Sequence, residues 1–479
     1  MLLVKLITPK KINELYLKQT ALGVLLVAFF LTLFSIKTTA QDNSPYSRFG
    51  IGDLVPSTNI NSRGMGGISA AYSDIFSINF NNPASYSSLQ GIREAKSKRL
   101  LSGRAVLDVG LNIENRTLQE PNNPVKFTAS NALFSHMQVG MPLRRNWGLS
   151  FGLRPITRIS YKIGQLERLV DSNTGLPIDS AYTEYNGDGG SYLASIGTGF
   201  TILRKQKNGY ETQNLSIGFN VGYFFGKKDY SSRRTLINDT VDYYRGNLET
   251  RTNYGNVYFN AGLQYKLELS EQKRKYLLIG VSGNWKQTLN ARQDIIRETY
   301  VADPNQGNVR LDSVAIIEDI EGKIEYPGSF TVGITYEKLA QPREAGWLIG
   351  VDYVQTQWDD YRFYGLKEQV ASNWQLRVGT QLRPVPTRNY FSNVAYRAGF
   401  FTGPDYIKAA GDLKQTGITL GLGLPVGISR QAINQATFIN LAFEYIKRGT
   451  DDNPLKENLF RISVGFSLSD VWFIKRKYD

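Results

Sequence analysis

The feature that most constrains the fold is an alternation of apolar and polar residues in segments of ten or more residues. In 417–424 every second residue is a large aliphatic and the others are Gly or Thr. The last segment, 458–470, repeats the pattern with aromatic and aliphatic residues on one face and mainly Arg, Ser and Gly on the other. A period of two predicts strands with one apolar face. Strands of soluble sandwiches are usually shorter, whereas a tilted strand needs about ten residues to cross an outer membrane.

Fourteen segments follow this pattern. They run over about 104–117, 127–142, 146–161, 191–204, 214–226, 252–268, 276–288, 327–338, 345–357, 372–383, 391–402, 414–426, 436–447 and 458–470. A closed antiparallel barrel with both chain ends on one side needs an even number of strands. Long connections such as 162–190 and 289–326 alternate with short ones such as 143–145 and 384–390. The sequence therefore predicts an all-β fold, a 14-stranded antiparallel transmembrane β-barrel over residues 101–479, with long outer loops and short periplasmic turns.

Composition limits the chemistry that such a barrel can carry. The chain has no Cys and one His, so disulfides, thiolate metal sites and cysteine nucleophiles are excluded. Its net charge of +14 would suit nucleic acid, but an exported chain seldom meets it. Anionic lipid headgroups are the expected counterpart, and the basic residues of the short turns, such as Arg144 and Arg145, are consistent with inner-leaflet phosphates or with solvated turns.

The first 40 residues predict an exported protein. Lysines precede the apolar run 21–36, and Lys37 and small residues up to Ala40 follow it, as in a cleaved signal peptide. An uncleaved anchor is the alternative reading, but a bilayer span needs about 20 apolar residues. Removing residues 1–40 takes away five lysines and one glutamate and leaves the chain basic.

Residues 41–100 do not alternate like the barrel segments. They are rich in Ser, Asn and Gly and precede the first strand, so they form either a disordered periplasmic tail or a plug folded into the barrel. The small residues of 62–72, followed by 81–84, favour the plug, because they permit tight turns and close backbone packing.

These motifs carry a resemblance to a known family. Gly64, Gly66 and Gly67, in the run Gly-Met-Gly-Gly, are followed by Asn82-Pro83-Ala84 near the mature N-terminus and ahead of fourteen strands. This arrangement resembles the FadL-type family of outer-membrane hydrocarbon and fatty-acid channels. The stretch 44–54 and the closing run 472–477 are similar to the Bacteroidetes branch of that family, which includes PorV-like secretion subunits. The resemblance implies an N-terminal hatch, residues 41–100, inside a fourteen-stranded barrel, and passive lateral release of an apolar solute through the barrel wall. The chain differs from typical outer-membrane barrels in ending with a basic tail instead of an aromatic residue.

The inward faces of the strands predict a filled lumen. Several glycines share that face: Gly280, Gly333, Gly350, Gly379, Gly417, Gly421, Gly423 and Gly465. Asp352, Gln375, Arg377 and Glu444 are predicted to face the lumen as well. Inward glycines leave room for a packed object, although barrel curvature can also require them. Buried charges need partners, either one another or the hatch. A broad aqueous pore is the weaker interpretation.

Other chemical groups predict no catalytic or metal site. His136 is expected to face the lumen as a hydrogen-bonded filler, because nothing around it has the signature of a nucleophile. The acidic pairs 359–360 and 451–452 could hold Ca²⁺ but lack the spaced ligands of a dedicated loop, so solvated turns are favoured. Aromatic residues at strand ends predict girdles at the membrane interfaces.

Two functions of different classes follow. The first is a FadL-like passive channel for small hydrophobic compounds, with an apolar pocket between hatch and wall. The second is a non-transporting, PorV-like barrel subunit of a larger secretion or barrel-assembly complex, with a filled lumen. No enzyme activity and no cofactor are expected. The implied partners are outer-membrane lipids and lipopolysaccharide, a hydrophobic small molecule for the channel, and an outer-membrane protein complex for the subunit.

Overall fold

The computed structural model describes residues 44–89, 91–93, 100–121, 123–207, 210–238, 243–303, 307–408, 411–426 and 436–472. All of them belong to one compact unit, Asp42–Asp479. The predicted signal peptide and the tail 473–479 lie outside the described residues. The domain boundaries at 40/41 and 100/101 therefore stay predictions.

Fourteen long strands form a closed antiparallel barrel. They are β1 Leu100–Gln119, β2 Lys126–Arg144, β3 Trp147–Val170, β4 Pro177–Lys207, β5 Tyr210–Ile237, β6 Arg245–Ser270, β7 Lys275–Asn284, β8 Ser329–Lys338, β9 Gly346–Thr356, β10 Asn373–Arg383, β11 Ala395–Pro404, β12 Lys414–Val426, β13 Ala436–Arg448 and β14 Lys456–Trp472. Each strand pairs with its neighbours, and β14 pairs with β1 to close the ring, with Ile462 opposite Ile113. The predicted 14-stranded antiparallel barrel is confirmed.

Burial alternates along the strands as the sequence pattern predicts. In β9, Ile349 and Val351 are 49% and 36% exposed, whereas Asp352 is fully buried. In β12, Ile418 and Leu420 are 60% and 58% exposed. Because the exposed side chains are large and apolar around the ring, the outside of the barrel has the character of a lipid-facing surface.

Strand length differs between the two sides of the barrel. Strands β3–β6 have 24 to 31 residues, whereas β7–β13 have 10 to 13. The connection between β7 and β8 contains a hairpin, Gln287–Asp303 and Gly307–Tyr326, whose first strand pairs with the N-terminal half of β6. Much of the connections 162–190 and 289–326, expected as loops, is thus strand. Continuing the ladder satisfies the backbone hydrogen bonds of these residues.

Charged contacts between strands support this tall side. Lys227 donates to Asp188 at 2.5 Å and to Asp229 at 3.3 Å, and the hydrogen bond to Asp188 raises the pKa of Lys227. Such exposed pairs each contribute about 1 kcal/mol or less. The added length of strands β3–β6 is therefore a solvated sheet at the long-loop end of the barrel.

The N-terminal residues form short elements. These are a 3₁₀ helix Pro45–Arg48, a short strand Asp53–Leu54, helix α1 Ile60–Arg63, a 3₁₀ helix Pro83–Ser88 and a short strand Gly91–Arg93. Asn59 caps α1 by accepting from Ser62 N, and Asn82 accepts from Ala84 N at the start of the second 3₁₀ helix. The long connections add a short strand, Arg362–Phe363, and a 3₁₀ helix, Trp358–Asp360, while the β10–β11 connection contains the 3₁₀ helix Tyr390–Asn393.

No helix among the described residues has the length and apolar character that crossing a membrane requires.

Candidate functional site: the barrel lumen

Residues 44–89, here called the luminal segment, lie inside the barrel. Their side chains and backbone contact strands around the whole ring, including Ser160 of β3, Val281 of β7, Thr419 of β12 and Ser463 of β14. Most of the segment's residues are buried. Since one short segment reaches strands on all sides, it can only occupy the space that they enclose.

Asp352 and Arg377 hold the glycine-rich turn of the segment. Asp352 Oδ2 accepts hydrogen bonds from Ser69 N at 2.6 Å and Ala70 N at 2.9 Å. Arg377 Nη1 donates to the carbonyl of Gly67 at 3.0 Å, and its Nε donates to Gln375 Oε1 at 2.6 Å. The structure therefore brings three of the predicted lumen-facing residues together beside one turn. Asp352 and Arg377 bond to backbone groups of the luminal segment, and Gln375 accepts from Arg377.

The inward glycines form the floor on which the segment lies. A Cβ at Gly280 would be 1.9 Å from the carbonyl oxygen of Ala70, and one at Gly379 would be 2.2 Å from that of Met65. Gly421 lies against the Cα of Gly64, whereas Gly333, Gly350 and Gly465 lie near the side chains of Ala70, Ile68 and Ile60. Gly417 and Gly423 instead accommodate side chains of the neighbouring strand β11. Gly280, Gly379 and Gly421 thus allow backbone of the segment to touch backbone of the wall.

The predicted hatch residues lie at the closest of these contacts. Gly64 packs on Gly421, the N–H of Gly66 donates to Thr419 Oγ1 at 2.8 Å, and both Gly66 and Gly67 have positive φ. Asn82 donates to the carbonyl of Ala70 at 2.7 Å, which joins the second 3₁₀ helix to the residues after the glycine-rich turn. Pro83 and Ala84 pack against Gly218 of β5. A side chain at any of these glycines would meet the wall, and at Gly66 and Gly67 it would also strain the backbone.

Glu444 belongs to a row of charges across the closing seam of the barrel. Its direct partner on β14 is Arg461, which pairs in turn with Glu114 on β1. Arg461 lies 2.7 Å from Glu114 and 3.2 Å from Glu444, and all three side chains are buried. The sequence analysis did not single out Arg461 or Glu114, although charged residues on a face opposite large apolar ones were the available signal.

A second charge cluster joins the luminal segment to the same seam. Asp53 lies 2.8 Å from both Arg116 on β1 and Arg448 on β13. Arg116 and Arg448 also contact Glu457 of β14, at 2.7 and 3.1 Å, and Glu457 accepts a hydrogen bond from Ser44. Burying a charge without a partner is unfavourable, and moving the segment away would leave Arg116 and Arg448 without Asp53. The cluster therefore fixes the segment to strands β13, β14 and β1.

His136 is fully buried beneath the luminal segment. Its Nδ1 lies 3.0 Å from Ser135 Oγ and its Nε2 lies 3.4 Å from Asp108 Oδ1. Arg63 donates to the same Ser135 Oγ at 2.8 Å, and the ring of Phe80 covers the imidazole. The hydroxyl of Ser135 is therefore already hydrogen-bonded and is shielded by the luminal segment. Ser135, His136 and Asp108 thus form a buried, packed hydrogen-bond group.

The wall of the barrel is interrupted between β2 and β3. Their ladder runs only from Arg144 opposite Trp147 to Met137 opposite Leu153. Pro155 follows, and because proline has no N–H and sits at a bulge, it disfavours continued pairing with β2. Pro155 was a visible signal that the sequence analysis did not use.

The luminal segment covers the freed edge of β3. Asp53 and Leu54 pair with Arg158 and Thr157, and Val55 N donates to the carbonyl of Ile156 at 3.0 Å. Above the interruption, a side-chain hydrogen bond of 3.3 Å from Arg158 to Asn131 links β3 to β2.

A cavity of about 290 Å³ remains between the luminal segment and the wall. Its lining combines the charged side chains of Arg154, Arg377 and Glu444 with aromatic ones such as Tyr258 and Trp358. A site for a purely apolar compound would have few polar groups. This cavity has the mixed character of a hydrated space.

The acidic pairs lie in connections at the long-loop end of the barrel. Asp359 accepts a hydrogen bond from Ser372 N at 3.1 Å, and Asp451 pairs with Lys456. Within the described part of the chain, no group of three or more His, Cys, Asp or Glu side chains is placed to hold a metal ion.

Several solved structures resemble this one in fold. CymD, a monoaromatic hydrocarbon channel, is 13% identical with a TM-score of 0.46, over 88% of this chain and 98% of CymD. The toluene transporter TbuX of Ralstonia pickettii is 13% identical with a TM-score of 0.45, over 86% and 98%. A FadL homologue of Pseudomonas aeruginosa is 14% identical with a TM-score of 0.46, over 89% and 100%. At these identities and TM-scores the likeness concerns the fold alone.

No curated protein matches the sequence. The family model described as BamG matches residues 23–479, which is nearly the whole sequence, and the chain belongs to the BamG family.

Proposed function

We propose that this protein is an integral outer-membrane barrel that does not transport a solute and serves as a subunit of a larger outer-membrane complex for protein secretion or barrel assembly. The observation that carries the proposal is the occupied lumen. The luminal segment is held by hydrogen bonds to side chains of β9 and β12 and from a side chain of β10, and by buried ion pairs to β1 and β13.

A passive channel for hydrophobic compounds requires an apolar passage. Here the space beside the luminal segment is about 290 Å³ and contains guanidinium and carboxylate groups. An apolar solute would have to displace the water that solvates these charges, or displace the segment with its ion pairs. Both steps are unfavourable, so the lumen suits a rigid support better than a conduit.

The tall side of the barrel offers surface for a partner. The hairpin Gln287–Asp303 and Gly307–Tyr326 exposes Val314 at 73% and Ile317 at 52%. Clusters of exposed apolar side chains outside a membrane commonly mark protein interfaces.

A channel for small hydrophobic compounds is the second candidate, and the interruption at Pro155 favours it. Just below the interruption, the outer face of β2–β5 has an almost wholly apolar groove of about 550 Å³, lined by side chains that include Met137, Phe151 and Leu153. A solute leaving the lumen through the interruption would meet this groove.

Purification from gentle detergent separates the two functions. The tagged full-length protein should retain other outer-membrane proteins in fixed stoichiometry, and a deletion strain should take up labelled fatty acid at the normal rate. In a V314E/I317E variant the partners should be lost, whereas Leu366→Glu, an exposed residue of another loop, should retain them. A protein that purifies alone, together with a deletion strain that takes up labelled fatty acid several-fold more slowly, would establish the channel instead.

A further inference from the structure

The short-turn end of the barrel carries an excess of exposed basic side chains. We call the following residues the basic rim: Arg144, Arg145, Lys205, Lys207, Lys273, Arg343 and Arg388. In the same turns the exposed carboxylates among the described residues are Glu271 and Glu344, and Glu344 is paired with Lys338. The long-loop end carries exposed carboxylates such as Asp312 and Asp451 together with exposed cations such as Arg292 and Arg310. Among the described residues, an excess of exposed cations over exposed carboxylates is therefore a feature of the short-turn end.

Aromatic side chains place the basic rim at the depth of lipid headgroups. The guanidinium of Arg144 lies 5.5 Å from the ring centre of Trp147, which is 37% exposed on the outer face. On another part of the ring, Lys275, which follows Lys273 of the basic rim by two residues, has its Nζ 6.0 Å from the ring of Tyr336, which packs on Trp347. Because Trp and Tyr rings on the outside of barrels sit at the membrane interface, the cations that contact them lie at the level of the phosphates.

Part of the basic rim is free to bind an anion. Across the described ranges, Arg144, Arg145 and Arg388 have no carboxylate within salt-bridge distance. Arginine binds phosphate oxygens through two parallel N–H groups, and an adjacent pair at a turn can engage one phosphate from two sides.

We propose that the basic rim binds the phosphate groups of anionic phospholipids in the leaflet that faces the short turns, with Arg144 and Arg145 beside Trp147 as the principal site. The inference rests on the proposed outer-membrane location and is independent of whether the barrel has a protein partner. Binding at this end fixes the depth of the barrel in the bilayer.

Native mass spectrometry of the delipidated full-length protein tests this. The protein in neutral detergent is titrated with phosphatidylglycerol, phosphatidylcholine or inorganic phosphate, and the bound lipids are counted. We expect phosphatidylglycerol to be retained at least tenfold better than phosphatidylcholine. An R144Q/R145Q variant should lose most of that preference, whereas R168Q/K367Q, which removes two exposed cations at the long-loop end, should keep it. A heat-dependent shift in gel mobility verifies that each variant is folded.

Three outcomes would overturn the proposal. Equal retention of the two lipids would exclude a phosphate preference. Displacement of phosphatidylglycerol by millimolar inorganic phosphate would indicate a site for a free anion. If R144Q/R145Q kept its lipid preference but lost co-purifying proteins, the basic rim would be a protein-docking surface. Absence of any co-purifying protein, with the lipid preference intact, would refute the proposed subunit function and support the lipid site.

Discussion

Asp352 gives the most direct test of how the luminal segment is held. Its buried carboxylate accepts two backbone N–H groups, Ser69 at 2.6 Å and Ala70 at 2.9 Å. A hydrogen bond to a charged group contributes about 1.5–3 kcal/mol, so the pair contributes about 3–6 kcal/mol to docking of the turn. Asp352→Ala removes both bonds and leaves the two N–H groups unsatisfied inside the barrel. Asp352→Asn keeps an oxygen that can accept both bonds but removes the charge that strengthens them, so it should lose about half as much.

Hydrogen exchange of the full-length protein in detergent measures this loss. Each 1.4 kcal/mol changes an opening equilibrium about tenfold. Asp352→Ala should therefore speed exchange of the amides in 65–72 by about 100-fold or more, if they exchange through local opening. The amides of β12 and β13 should be unaffected. Asp312→Asn, an exposed carboxylate of the hairpin, is the matched control and should change nothing. Unchanged exchange in 65–72 for Asp352→Ala would refute the view that this carboxylate anchors the segment.

Two further substitutions test the inward glycines and the charges where β14 meets β13 and β1. Gly280→Val places side-chain atoms where the carbonyl of the luminal segment lies, so the segment should become susceptible to protease, whereas Gly246→Val, which has no neighbour within 4 Å, should leave it resistant. Arg461→Met leaves two buried carboxylates without their partner and should lower the free energy of unfolding by about 3–5 kcal/mol. The measurement is the urea concentration at which half of the protein loses the gel mobility of the folded barrel, and this midpoint should fall. Arg251→Met, which breaks an exposed pair, should shift that midpoint by about 1 kcal/mol or less.

The barrel could be predicted from the sequence because its strands follow a strict period of two. Residues 417–424 alternate small and large side chains, and the structure places Ile418 and Leu420 outside and Gly421 inside. The hairpin after β7 was missed for a physical reason. The pairing of its two strands has register shifts at several points, and both faces of 310–319 are exposed, so no apolar period survives there.

The lumen was predictable only in part. Inward glycines and the charges of Asp352, Arg377 and Glu444 could be identified from the phase of their strands. The partners of these charges could not, since they depend on where the luminal segment lies and on which strands meet at the seam. Arg461 reaches Glu114 only because the last strand closes on the first. The interruption at Pro155 had a local signal, but its covering by Asp53 and Leu54 is a tertiary contact that no local pattern encodes.

The seam between β14 and β1 has a consequence for the order of biogenesis. Ser44 and Glu457, which contact each other, are 413 residues apart in the chain. Contacts of such high sequence separation form late, because the entropy of closing so long a loop must be overcome first. The luminal segment therefore gains these contacts only once the last strand is available. Docking of the segment and closure of the ring are thus coupled steps of folding.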